Sequence, residues 1–216
     1  MKVKIKKEGK VKQFKLINSW ADVTLSTWIK LVDFATGTKT EEATETIAAL
    51  SDIPKQLVKE LALSDVAVIM SKIAELQAKQ DTTLKRIIEI NDVEYGFHPD
   101  LNKITLGEYA DVEQFIKNGI ETNLPELMAI LYRPIKYKKE NIYIIDAYDG
   151  EITMRTEEMK QMSAEQVQSA LVFFYRFVSV LSVTSQSSLM EMLKEMKEQL
   201  HQNPSQNAGD GLDYGS

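Results

Sequence analysis

The 216-residue chain is 44% hydrophobic and 27% charged, the balance of a globular protein long enough to bury a core. It has no cysteine and two histidines, His98 and His201, which excludes a disulfide scaffold, a cysteine nucleophile, thiolate zinc, iron–sulfur clusters and a three-histidine metal centre. The net charge of −6 is uneven: residues 1–15 hold seven lysines against Glu8, or +6, which leaves −12 for the remaining 201 residues.

The lysines of that first segment alternate with Val3, Ile5, Val11, Phe14 and Leu16 around Gly9-Lys10, which predicts a β-hairpin with one solvated face. No aromatic platform is interleaved with them, so a nucleic-acid arm is the less favoured reading. Asn18 to Thr24 reads as a turn, with Thr24 capping a helix that carries Leu25, Trp28, Ile29, Leu31 and Val32. Gly37-Thr38 ends it. Further short helices are expected from Glu41 to Leu50, from Pro54 with Leu57, Val58, Leu61 and Leu63, and from Ser64 or Asp65 with Val66, Ile69, Met70, Ile73 and Leu76.

Near Asp81 the period changes. Leu84–Ile90 and Val93–Phe97 flank Asn91-Asp92 and predict a second hairpin. Thr105 and Glu108 form a capping box opening a helix with Tyr109, Val112, Phe115 and Ile116, and Ile104 is placed to staple onto Tyr109. A helix from Leu124 stops before Arg133-Pro134. Lys136-Tyr137-Lys138-Lys139, a basic patch with Tyr132, Tyr143 and Tyr148 nearby, reads as a solvated loop in preference to a nucleic-acid surface. Ile142–Ile145 reads as a strand that turns at Asp149-Gly150 and returns through Glu151 to Arg155. Ser163 and Gln166 cap a long helix through Val167, Ala170, Leu171, Phe174, Phe177, Val178 and Leu181. A last amphipathic helix spans about Ser188 to Gln199, and residues 203–216 have nothing to bury and are expected to be disordered.

The expected fold is therefore α+β, mostly helical with small antiparallel hairpins. Its lobes are 1–80 and 81–202, followed by the tail. An internal echo, Val23-Thr24-Leu25-x-x-Trp28-x-x-Leu31 against Ile104-Thr105-Leu106-x-x-Tyr109-x-x-Val112, leaves open whether the lobes are related or merely share a helix-start pattern.

Chemistry-bearing motifs are sparse. Neither a dinucleotide-binding nor a Walker glycine pattern occurs, so no cofactor is expected. Asp146-x-x-Asp149-Gly150-Glu151 lacks the alternating oxygen ligands of a calcium loop, and no metal is expected there. His98, before Pro99, reads as a surface-loop histidine, and no serine lies in a nucleophile elbow. No catalytic residues are assigned. Met154, Met159 and Met162, then Met190, Met192 and Met196, supply adaptable apolar surface that could serve a partner or a core. The candidate partner-binding stripe is Leu189, Met192, Leu193, Met196 and Leu200.

Residues 97–111 (Phe97-His98-Pro99-Asp100-Leu101-Asn102-Lys103-Ile104-Thr105-Leu106-Gly107-Glu108-Tyr109-Ala110-Asp111), with Asn123-Leu124 and Met128-Ala129-Ile130-Leu131-Tyr132-Arg133-Pro134-Ile135, resemble a pattern in tail- or virion-assembly proteins of tailed bacteriophages. Ala170-Leu171-Val172-Phe173-Phe174-Tyr175 looks like a later helix of the same proteins. Trp20-Ala21-Asp22-Val23-Thr24-Leu25 is similar to the opening of tail assembly chaperones. The resemblance implies a non-enzymatic morphogenesis protein that holds a long tail protein soluble until assembly. It brings no catalytic residues. A structural component of the neck or tail is the alternative, and a nucleic-acid-associated phage protein using the lysine-rich hairpin is a third reading. Other phage structural proteins are the expected partners, with homo-oligomerisation open. With no signal peptide and no apolar stretch long enough for a bilayer, no membrane is expected; the host cytoplasm, or the virion, is the expected location.

Overall fold

A computed structural model describes residues 2–7, 10–35, 37–79, 81–140 and 142–181. The fold is α+β, mostly helical with two small antiparallel sheets. It divides into two compact units: of the described residues, one takes those up to Val23 and from Thr27 to Lys79, the other Thr24–Ser26 and those from Asp81 to Leu181.

In the first unit, β1 (Lys2–Lys7) pairs antiparallel with β2 (Lys10–Lys15), Lys2 opposite Lys15 and Val3 opposite Phe14. Side chains alternate across a strand, so Val3 and Ile5 bury one face, whereas Val11, opposite Lys6, belongs to the other and stays 61% exposed. Val11 and Phe14, three apart, cannot share a face. A 3-10 helix (Trp20–Asp22) follows under a Ser19–Asp22 capping box, then α1 (Leu25–Phe34), which buries Leu25, Trp28 and Leu31.

The next helix, α2 (Lys39–Leu50), starts two residues before the expected Glu41. Thr38 is its N-cap and Glu41 closes the box, a signal present in the sequence but not read there. Helix α3 (Lys55–Val58) is a single turn after Pro54. Leu63, expected on its apolar face, instead begins α4 (Leu63–Ala78) and is exposed; Ala62 occupies the N-cap, displacing Ser64 and Asp65 from that role. Ile69, Met70 and Ile73 carry α4's buried stripe.

The second unit is built on the sheet β3-β4-β5-β6: β3 (Ile87–Ile90), β4 (Val93–Phe97), β5 (Tyr132–Lys139) and β6 (Ile142–Ile145). Asn91 and Asp92 turn β3 into β4 with φ of 51° and 62°, the left-handed pair a two-residue hairpin needs. Between β4 and β5 lie α5 (Leu106–Lys117) and α6 (Leu124–Leu131). After β6 come α7 (Thr153–Met159) and α8 (Ala164–Leu181), the latter opened by the Ser163–Gln166 box.

Two expectations fail in this sheet. Lys136–Lys139 is strand, not loop, and it supplies the partner of β6, with Glu140 at φ 54° turning the chain between them. Asp149-Gly150 is consequently no hairpin. Gly150, at φ 82°, bends a loop in which Asp149 Oδ1 accepts the Glu151 N–H, and residues 153–155 begin α7 instead of a returning strand. An Asp-Gly pair satisfies any turn needing a left-handed residue, so it does not name the strands it joins.

Gly96 is required by close approach. A Cβ there would lie 2.5 Å from Tyr143 and 2.8 Å from Ile145. The absent side chain lets the Tyr143 hydroxyl reach the Phe97 carbonyl at 2.7 Å. The two echo sequences also part here: Leu25 is fully buried while Leu106 is 82% exposed. Thr24 forms a β-bridge with Ser163, and the Leu25 and Ser26 N–H groups donate to Met162 and Lys160. The expected last helix and the tail lie outside the described residues. Among the described residues no helix is long and apolar enough to cross a membrane.

Candidate functional site

The most concentrated group of buried ionisable side chains in the second unit is built from three separate stretches of chain. β4 ends at Phe97, and His98 follows with its backbone N–H donating to the Leu131 carbonyl at 2.7 Å. That bond pins the strand exit to the end of α6. Asp100 then caps a 3-10 turn (Leu101–Lys103), and Ile104 leads to Thr105 at the N-cap of α5. The third contributor is Arg133, the second residue of β5.

Glu108 sits at the centre, 1% exposed. Its Oε2 accepts from the Thr105 N–H and Oγ1, both at 2.6 Å, completing the capping box. Its Oε1 lies 2.7 Å from Arg133 Nη2 and 3.7 Å from His98 Nε2. Arg133 and His98 are themselves 4% and 9% exposed. The expectation that His98 lies on a surface loop is therefore wrong: the backbone bond to Leu131 folds it inward against Glu108. Around this trio, Arg133 faces the Tyr148 ring at 5.9 Å, Tyr148 donates its hydroxyl to Asp111, and Arg155 Nε donates to the Ala129 carbonyl at 2.7 Å.

The electrostatics follow from this geometry. Burial works to raise the Glu108 pKa, but the Thr105 hydrogen bonds and the Arg133 charge outweigh it and hold the carboxyl below its usual value. Burial lowers the His98 pKa, helped by Arg133 and only partly offset by Glu108, so His98 is neutral at pH 7. Burial, then the bond to Asp111, raises Tyr148. A carboxylate so stabilised is a poor proton acceptor, and guanidinium groups do not release protons. The cluster acts as a clasp, joining the start of α5 to β5 and the β4 exit.

The resembling residues thus do structural work. Thr105→Ala is expected to lower stability by about 1 kcal/mol through loss of the cap. Urea denaturation reads the change directly, and an unaltered midpoint would show that Glu108 is held by Arg133 alone.

The residues proposed from sequence fare differently. Leu189, Met192, Leu193, Met196 and Leu200 lie outside the described residues. Upstream, Met159 and Met162 are fully buried core, and Met154 alone of that trio is exposed. Asp146 pairs with Lys136 at 2.9 Å. No group of three or more acidic or histidine residues arranged to hold a metal occurs among the described residues. The clasp was missed as a unit, although an arginine directly following the apolar run Leu127–Tyr132 was a usable signal, since such a charge must find a partner. No family model, curated protein or solved structure matches the chain.

Proposed function

We propose that this chain is a non-enzymatic morphogenesis protein of a tailed bacteriophage, a tail assembly chaperone that binds a long tail protein in the host cytoplasm and delivers it to assembly. The observation that carries the reading is how the phage-like segment 97–135 is used. Its polar residues His98, Glu108 and Arg133 are spent on one another in the interior, and Thr105, itself exposed, is spent on Glu108 as its helix cap. Those four thus support a binding scaffold more readily than a reacting centre. The partners are other phage structural proteins of the tail or neck, and no cofactor enters.

Disruption of the gene in the phage that encodes it tests the reading. Electron microscopy of the lysate should show filled heads without completed tails, and the long tail protein should pellet as aggregate. Supplying the chain in trans should restore both. A normal yield of tailed particles from the disrupted phage would overturn the proposal, and recovery of the chain in purified particles would make it a structural virion component instead.

A further inference from the structure

We propose that the face of the β1–β2 ribbon bearing Lys2, Lys4 and Lys15 is a binding surface for the phosphate backbone of duplex nucleic acid, engaged without regard to base sequence. This does not depend on the assembly role.

The first observation is segregation. Elsewhere in the chain, lysines repeatedly lie against carboxylates: Lys39 with Glu42 at 3.1 Å, Lys117 with Glu113 at 3.0 Å, Lys136 with Asp146 at 2.9 Å and Lys160 with Glu157 at 2.6 Å. On the ribbon, Lys2, Lys4, Lys12 and Lys15 are exposed and make no ion pair among the described residues. Among the described residues, Asp52 is a carboxylate bonded to this ribbon, and it accepts from the Lys15 backbone N–H at 2.6 Å.

The second observation is register. Lys2 stands directly opposite Lys15, and Lys4 lies two residues along the same face, opposite Gln13. Like charges facing one another across a ribbon are destabilising, so stability of the fold does not account for this placement. Alternate residues on a strand are roughly 7 Å apart. That is close to the separation of successive phosphates along a nucleic-acid strand. The ribbon is also held firmly. Val3 and Ile5 bury its other face, Leu16 bridges to Ser51, Asp52 N–H donates to the Lys15 carbonyl at 3.0 Å, and Ile17 N–H donates to Leu50 at 3.0 Å. The charges are therefore presented in a fixed array.

The composition of the face selects the ligand. Its described side chains, Lys2, Lys4, Val11, Gln13 and Lys15, include no aromatic ring, and Phe14 pairs with Val3 on the opposite face. Single-strand binders rely on stacking, which this face cannot provide. Nor does it carry an arginine for bidentate reading of guanine. Lysines alone give backbone attraction, and the −12 carried by the rest of the chain keeps that attraction modest and orients the ribbon toward the duplex.

Fluorescence anisotropy of a labelled mixed-sequence duplex with the full chain tests this. Binding at low salt should weaken about 40-fold between roughly 50 and 200 mM salt if three phosphates are neutralised. Replacing Lys2, Lys4 and Lys15 together by Glu should abolish binding with the thermal melt unchanged, and replacing all three by Arg should retain it. Should the Glu triple melt early, Lys4→Glu alone, on the solvated face, should still weaken binding several-fold. No binding by the unaltered chain at low salt would overturn the proposal, as would a Glu triple that binds normally. Displacement of the duplex by a glutamate-rich peptide of equal charge at equal concentration would also overturn it, and would assign the face to an acidic protein.

Discussion

Arg133→Ala should lower the stability of the protein by about 3–5 kcal/mol, the cost of removing one partner from a buried ion pair. The guanidinium lies 2.7 Å from Glu108 Oε1, and both side chains are almost wholly out of water. Truncation leaves the Glu108 carboxylate with the Thr105 bonds but no counter-charge, in surroundings whose burial already opposes ionisation. Urea denaturation with circular dichroism measures the effect. A loss under about 1 kcal/mol would mean that water solvates the pair as it does a surface ion pair. Combining the variant with Glu108→Gln should cost less than the sum of the two single changes, because the orphaned charge is then gone.

The same cluster sets the response to acid. His98 and Glu108 both have folded-state pKa values below their ordinary 6.5 and 4.5, so the unfolded chain takes up each proton first. Their contribution is fully present above those ordinary values. It is lost as pH falls below about 6.5 for His98 and then below about 4.5 for Glu108. In Arg133→Ala the Glu108 step should move to higher pH, since a charge that lowered its pKa has been removed.

Phe97→Ala should be comparably damaging, at about 3–5 kcal/mol. Phe97 is fully buried at the end of β4. Its ring meets Tyr132 edge-on at 5.1 Å and Phe173 of α8 at 5.4 Å, so truncation opens a cavity between the sheet and that helix. The Phe97 carbonyl also accepts the Tyr143 hydroxyl, and its N–H donates to the Arg86 carbonyl at 2.8 Å. These main-chain bonds survive the substitution and limit collapse into the void. Phe97→Leu, which keeps most of the volume, should cost clearly less; equal costs for the two variants would show that edge-on ring contacts, not volume, dominate this site.

What could be read from the residues alone was whatever is decided within a few positions of chain. The Asn91-Asp92 turn and the Thr105–Glu108 and Ser163–Gln166 boxes are each closed by groups two or three residues apart, and the helices they open appear where the spacing places them. The α+β class follows from those local elements. Tertiary structure decided what depends on distant partners. Ile142–Ile145 carries a strand signal, but its partner is the lysine-rich run before it, because pairing in register with Tyr137–Lys139 outweighs the local appearance of a loop. Thr24–Ser26 joins the second unit through bonds to residues 160–163, far beyond any local window. His98, Glu108 and Arg133 are ordinary polar residues of a loop, a helix start and a strand. They become a clasp when the His98–Leu131 bond and the β4–β5 pairing bring those three ends together, a convergence that alternation and capping rules, being local, do not encode.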